Sequence, residues 1–246
     1  MLVQIFISLF LSFHLLSAVY ALADVEIAES NKCSKLFPYF ERKFNIPANT
    51  LHSIALKESG KKHKEHKISV VWPWTVNVGG KGYYFNTKKE AVIFVKKQII
   101  KGKENIDVGC MQINLKHHLE AFDSLDQAFD PAKNVKYGAE FLHSKYEQLG
   151  SWHKAIAHYH SATHSLGNKY KQAVVKIASN MALYKASLSN YINDGVVEDI
   201  TAIKESENFS KLTNDSKAQK KSLFSGNKKY RSSIMIPMPV KINSNS

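Results

Sequence analysis

The apolar positions of this chain fall into three regimes, and each regime implies a different kind of structure. The first is a continuous run: Leu2 to Leu22 is almost wholly apolar and carries no charge. It ends in Ala21-Leu22-Ala23, with small residues at the two positions a signal peptidase reads. Residues 1–23 are therefore expected to be a signal peptide cleaved after Ala23, with a retained membrane anchor as the competing reading. From about residue 30 to residue 186 the apolar residues recur at helical spacing. Beyond Ser187 they fade into Ser, Asn and Lys, and residues 187–246 are expected to be a low-complexity, largely disordered basic tail. Ile234-Met-Ile-Pro-Met-Pro-Val240 is an apolar strip within that tail, either a docking segment or simply part of it.

Within the periodic regime the pattern predicts a mainly α domain, residues 30–186, with a small β-hairpin insertion. One helix is expected from Cys33 to Phe44, with Leu36, Phe37, Phe40 and Phe44 on one face. A second runs from Asn45 to Gly60, with Pro47 in its first turn and Gly60 as its stop. Leu51, Ile54, Ala55 and Glu58 share its inner face. Lys61 to Lys67 reads as a loop. Val70–Val78 and Tyr83–Phe85 flank a Gly-rich turn and read as a hairpin, with Pro73 confining its strand to an edge.

Thr87-Lys-Lys-Glu90 is a capping-box pattern that opens a helix reaching about Lys101. Ile113 to Ala121 reads as a short helix or turn. Asp130-Pro131 opens a longer helix with Val135, Ala139, Leu142, Tyr146 and Leu149 inward and Gly150 as its end. Ser151 caps the next, which turns Trp152, Ile156 and Tyr159 inward. A last helix is expected from Gly167 or Asn168, with Tyr170, Val174 and Ile177 on its inner face.

Composition narrows the function classes. The net charge is +13, and Arg42 and Arg231 are the only arginines. A nucleic-acid groove usually employs arginine forks, and no nucleic-acid motif accompanies the lysines, so nucleic acid is not an expected partner. Past Leu22 no stretch approaches the ~20 apolar residues needed to span a bilayer. An exported, soluble, basic protein is drawn to anionic envelope polymers by salt-sensitive attraction. Cys33 and Cys110 are an even pair. In an oxidising compartment they read as one disulfide, and two buried free thiols are the alternative.

Chemistry enters with Glu58. A carboxylic acid on a core-facing stripe is costly to ionise, which raises its pKa toward the range a general acid needs; a helix-end glutamate turned to solvent is the plain alternative. Gly109-Cys-Met-Gln-Ile-Asn114 is a glycine-led turn into a short helix that offers two amides to a polar polymer. Tyr159 and Tyr170 add aromatic faces from two later helices. His63, Glu65 and His66, or His158, His160 and His164, lack the spacing of a zinc site, so no metal and no cofactor is expected.

The order of these clusters is specific. Glu58-Ser59-Gly60 at a helix end, then Gly109-x-Met111-Gln112-Ile113-Asn114, then Ala157-x-Tyr159 on a later helix, resembles the lytic transglycosylases of the soluble-lytic-transglycosylase family, in the lysozyme-like superfamily. The resemblance spans roughly residues 33–180. The Trp72-Pro73-Trp74 segment is similar to an insertion in some periplasmic members, including ones near secretion-system proteins.

The resemblance implies a lysozyme-like fold and a periplasmic enzyme acting on peptidoglycan glycan strands. Glu58 would be the sole acid and base in cleaving the bond between N-acetylmuramic acid and N-acetylglucosamine, with closure of a 1,6-anhydro ring. Ser59 would hydrogen-bond substrate or the glutamate, Met111 and Gln112 would line the substrate site, and Tyr159 would orient Glu58 through its hydroxyl. Tyr170 joins the substrate-binding set. Envelope or secretion-system assembly proteins are further partners, and a monomer is expected.

Two alternatives stay open: a hydrolytic muramidase, with Asp107 or water completing the site, and a non-catalytic peptidoglycan-binding or secretion-assembly factor. This chain departs from the family at Tyr159-His160-Ser161-Ala162, where Tyr-Asn-Ala-Gly is common, and at Cys110, where leucine is frequent. His160 either takes over the hydrogen bonds of that asparagine, adding pH sensitivity, or faces away.

Overall fold

The computed structural model describes residues 25–63 and 68–192. The expected signal peptide, the tail beyond 192 with its Ile234–Val240 strip, and Glu65 and His66 lie outside the described residues. No described helix is long and apolar enough to cross a membrane. The chain divides into two units, Met1–Tyr184 and Lys185–Ser246. Of the second, the described part is the end of helix α9 (Met181–Ile192), which runs past Ser187; there the Ser189 hydroxyl donates to the Ala186 carbonyl.

The described chain opens in a helix, α1 (residues 25–34), and α2 follows at Phe37–Lys43. The expected single helix from Cys33 to Phe44 is thus two helices. Pro38 sits in the first turn of α2. It brings no N–H and its ring clashes with the carbonyl four residues back, so a helix through it would break. Leu36, Phe37 and Phe40 are buried as the pattern predicts.

Helix α3 (Thr50–Ser59) starts five residues later than the pattern suggested. Asn45 and Asn49 adopt positive φ, and Pro47 precedes the helix. Asn49 does not cap with its own side chain. Instead, the buried Glu41 carboxylate on α2 accepts from the Asn49 N–H at 2.9 Å and the Leu51 N–H at 2.8 Å. A negative charge at a helix N-terminus satisfies its orphan donors and opposes its dipole. Leu51, Ile54 and Ala55 are fully buried, so α3 is the central helix of the fold.

The expected Lys61–Lys67 loop begins as a strand. β1 (Gly60–Lys62) pairs antiparallel with β2 (Ser69–Val71), Gly60 opposite Val71. The Val70–Val78 run is split at Pro73, which lies in a turn between β2 and β3 (Thr75–Val78). β3 then forms the expected hairpin with β4 (Lys81–Tyr84) around Gly79 and Gly80. The sheet has two strands the pattern did not show. β5 (Ile106–Val108) pairs with β3, and β6 (Ile113–Asn114) pairs with β5, giving the order β4-β3-β5-β6. Gly109–Gln112 is therefore a turn between strands rather than the start of a helix.

The remaining helices follow their sequence signals closely. α4 (Lys88–Ile100) is capped by the Thr87 hydroxyl, which accepts from the Glu90 N–H, while Glu90 reaches back to the Asn86 N–H. A short helix, α5 (Leu125–Ala128), is capped by Ser124. α6 (Pro131–Leu149) has Asp130 as its cap and Gly150 in the left-handed conformation at its end. α7 (Trp152–His160) is capped by Ser151. α8 (His164–Ser179) starts before Gly167, at Thr163, and buries Tyr170 and Val174. α7 packs on both α6 and α8, and α8 packs on α3. That stacking brings α7 and α8 to the C-terminal end of α3.

Candidate active site

The end of α3 is shaped by its glycine. A Cβ at Gly60 would lie 2.2 Å from the Leu56 carbonyl oxygen, so the chain can leave the helix there only without a side chain. Glu58 lies two residues earlier, in the last turn of α3. Glu58 is half-buried. Its carboxyl is pushed up to about 7, first by loss of solvent and then by the Asp107 charge; the Tyr170 hydroxyl and Lys57 pull the other way. A carboxyl in that range can hold or release its proton near neutral pH, as a residue must to donate one and then retake it.

Two tyrosines share Glu58's surroundings, and their roles differ from the expectation. The Tyr159 hydroxyl on α7 donates to the Met111 carbonyl at 2.9 Å. Its single hydrogen is thereby committed, so Tyr159 does not orient Glu58 by donating to it. Tyr170 on α8 is the residue that addresses the acid. Its hydroxyl is buried without a partner of full hydrogen-bond geometry and interacts with the Glu58 carboxyl. Burial and the Glu58 charge hold both tyrosines well above the ordinary phenol range, so they remain neutral donors.

The Gly109–Asn114 segment faces this group from the sheet side, and most of it is scaffold. Ser59 was expected to reach substrate or the glutamate. It is fully buried, and its hydroxyl lies 3.0 Å from the Ala55 carbonyl and 2.7 Å from the Cys110 carbonyl, tying α3 to the turn. Met111 was expected to line the substrate site. It too is fully buried and packs where a Gly138 Cβ would stand, 2.8 Å from its Cβ and Cγ. In this structure neither side chain meets solvent, so neither can touch a polymer without rearrangement.

Gln112 is half-buried at φ 47° and donates from its amide to the Gly109 carbonyl at 2.9 Å and the Thr75 carbonyl at 3.1 Å. Cys110 is joined to Cys33 on α1 by a disulfide. The turn is thus anchored from α1, α3 and β3.

Asn134 on α6 is the positioning residue that the sequence reading missed. It is fully buried and satisfies three backbone groups at once: it accepts from the Met111 N–H at 2.8 Å and donates to the carbonyls of Val108 at 3.0 Å and Ala128 at 2.9 Å. Gly109, at φ 81°, lies so close that a Cβ would fall 2.4 Å from the Asn134 amide nitrogen. The available signal was an amide on the otherwise apolar face of α6, one residue before Val135. Its partners lie far away in sequence, so spacing alone does not reveal it.

Asp107 is the nearest second carboxylate. It lies on β5, accepts from the Asn114 amide at 2.7 Å, and is raised by burial against the pull of that hydrogen bond and of His117 and His160. His160, the last residue of α7, is exposed and stacks flat on Tyr170, with ring centroids 4.6 Å apart and planes 5° from parallel. It therefore turns toward the site rather than away. The constellation is two half-buried carboxyls, of which Glu58 is the readily protonated one, two neutral phenols and an amide turn. Such a set suits proton transfer to and from a polar, uncharged linkage.

The family model described as "Transglycosylase SLT domain" matches residues 35–181 of the chain, more than half its length. No curated protein and no solved structure matches it.

Proposed function

We propose that this chain, which belongs to the transglycosylase SLT domain family, is a peptidoglycan lytic transglycosylase with Glu58 as its acid and base. The observation that supports this most is the position of Glu58, half-buried in the last turn of α3 near the Tyr170 hydroxyl, where loss of solvent pushes its carboxyl up to about 7. In the first step protonated Glu58 gives its proton to the glycosidic oxygen between N-acetylmuramic acid and N-acetylglucosamine, and the C1–O bond breaks. In the second step the Glu58 carboxylate takes the proton from the muramic acid's 6-hydroxyl, whose oxygen bonds to C1. The proton is returned, a 1,6-anhydro ring is formed and no water is consumed. One carboxylate suffices because the substrate provides the nucleophile; retaining and inverting glycosidases need two.

A peptidoglycan substrate would be met in the periplasm, in line with the signal-peptide reading of residues 1–23. There its positive charge favours anionic envelope polymers. It would work as a monomer, with envelope or secretion-system assembly proteins as further partners.

A hydrolytic muramidase is the second reading, favoured by one observation: the Asp107 charge lies close enough to Glu58 to raise its carboxyl. Mass spectrometry of digested peptidoglycan separates the two. Anhydro-muramyl ends support the transglycosylase, and reducing ends support the muramidase. Glu58→Gln separates both from a wall-binding factor, because equal lysis by variant and wild type would end any catalytic assignment.

A further inference from the structure

His160 is exposed, yet the Tyr170 ring beneath it is 4 % exposed. The two rings are parallel and in contact. On that face of Tyr170, the imidazole is what separates the phenol from solvent. The Tyr170 hydroxyl in turn lies near enough to interact with Glu58, whose unusual proton affinity comes mainly from burial. The three residues form a column from solvent to acid: His160 at the end of α7, Tyr170 on α8, Glu58 at the end of α3.

We propose that His160 is a positioning residue for the reaction, a flat cover on Tyr170 that keeps water away from the Tyr170–Glu58 contact. It acts through Tyr170 and need not touch substrate. Burial and Lys57 hold the imidazole's own proton affinity down, opposed by Asp107, which favours the neutral ring as the cover. The charged and titratable groups around Glu58 are Lys57 on α3, Asp107 on β5 and Tyr170 on α8, with Tyr159 on α7 also sensing its charge. None of them covers the outer face of Tyr170 as His160 does. A smaller side chain at 160 admits water to the column, and a water-exposed carboxyl ionises more readily.

The inference rests on Glu58 being the acid, but its test does not depend on turnover. The Glu58 carboxyl is titrated by carbon NMR in the full chain, assigned by difference against Glu58→Gln, and the pH–rate profile is recorded beside it. His160→Ala is expected to move the Glu58 titration, and the alkaline limb of activity, down by roughly one unit. His160→Phe, which keeps a flat ring without a charge, is expected to leave both near their wild-type positions. An unmoved titration in His160→Ala overturns the proposal, whether KM or only the unfolding temperature changes. An equal shift in His160→Phe overturns it too, because the ring would then not be the cause. His160→Asn replaces His160→Ala if the latter fails to fold, with the same outcomes. A Glu58→Gln protein that still cleaves glycan would instead end the reading of Glu58, and the titrations would stand apart from it.

Discussion

Glu58→Gln is expected to make the protein more stable at neutral and alkaline pH while removing the activity proposed for it. Burial raises the Glu58 carboxyl from 4.5 to about 7. The folded state therefore holds this proton more tightly than the unfolded chain does. Between those two values the native form carries more protons than the unfolded form, so stability falls as pH rises. The loss begins near the unfolded value and is complete above the folded one. The gap between those two values corresponds to at most about 3.5 kcal/mol at ~1.4 kcal/mol per pH unit. Glutamine is nearly isosteric and neutral at all pH, so the variant escapes this loss. Urea unfolding of wild type and variant at pH 4 and pH 8 measures it as a difference of differences, which cancels any cost of the amide itself. The variant's advantage is expected to grow by about 2–3 kcal/mol between the two pH values, a change of roughly 4–12 °C in unfolding temperature for a chain of this size. Parallel stability profiles for the two proteins would refute the reasoning, because a solvated Glu58 has no such penalty.

Other consequences follow from the same geometry. Cleavage of peptidoglycan is expected to fall tenfold per unit as pH rises well above 7, because the first step needs protonated Glu58; a flat rate from pH 6 to 9 would contradict this. Asn134→Ala leaves one buried N–H and two buried carbonyls without their partner and is expected to cost about 3 kcal/mol or more, with activity lost beyond that explained by unfolding; denaturant unfolding and wall-lysis rates check both. Reduction of Cys33–Cys110 opens a loop of 77-residue separation and is expected to lower stability by about 4–5 kcal/mol in the chain-entropy picture. Unfolding of Cys33→Ser/Cys110→Ser measures that loss, and its lysis rate reports how far the turn beside Ser59 depends on the α1 anchor.

Local chemistry made much of the fold legible. Asp130-Pro131 and Gly150 delimit α6, Ser151 opens α7, and Thr87 with Glu90 opens α4, because caps act within one turn of the residues they terminate. The inner stripe of α3 and the order of the Glu58, Met111–Gln112 and Tyr159 clusters were equally plain, and they mark the family that the model match shows. Strands β5 and β6 were not legible. At three and two residues they are shorter than any apolar period, and they exist because β3 supplies their partner. The Glu41 cap on α3 and the Asn134 clamp on the turn were hidden for a related reason: each satisfies backbone groups on another element.

Sequence alone placed a glutamate at the end of an inward-facing helix and tyrosines on two later ones; that the glutamate is readily protonated came from its surroundings in the fold. Only the tertiary structure decided which tyrosine addresses it. Tyr159 and Tyr170 both lie on inner stripes, and a stripe fixes the face of a helix but not the atom it meets across the interface. The packing of α7 and α8 at the end of α3 gave Tyr159 to the Met111 carbonyl and Tyr170 to Glu58. It likewise withdrew Ser59 and Met111 from solvent and set His160 over Tyr170. Hydrogen bonds and desolvation act over a few ångströms between residues far apart in the chain, and those distances come into being only when the helices pack.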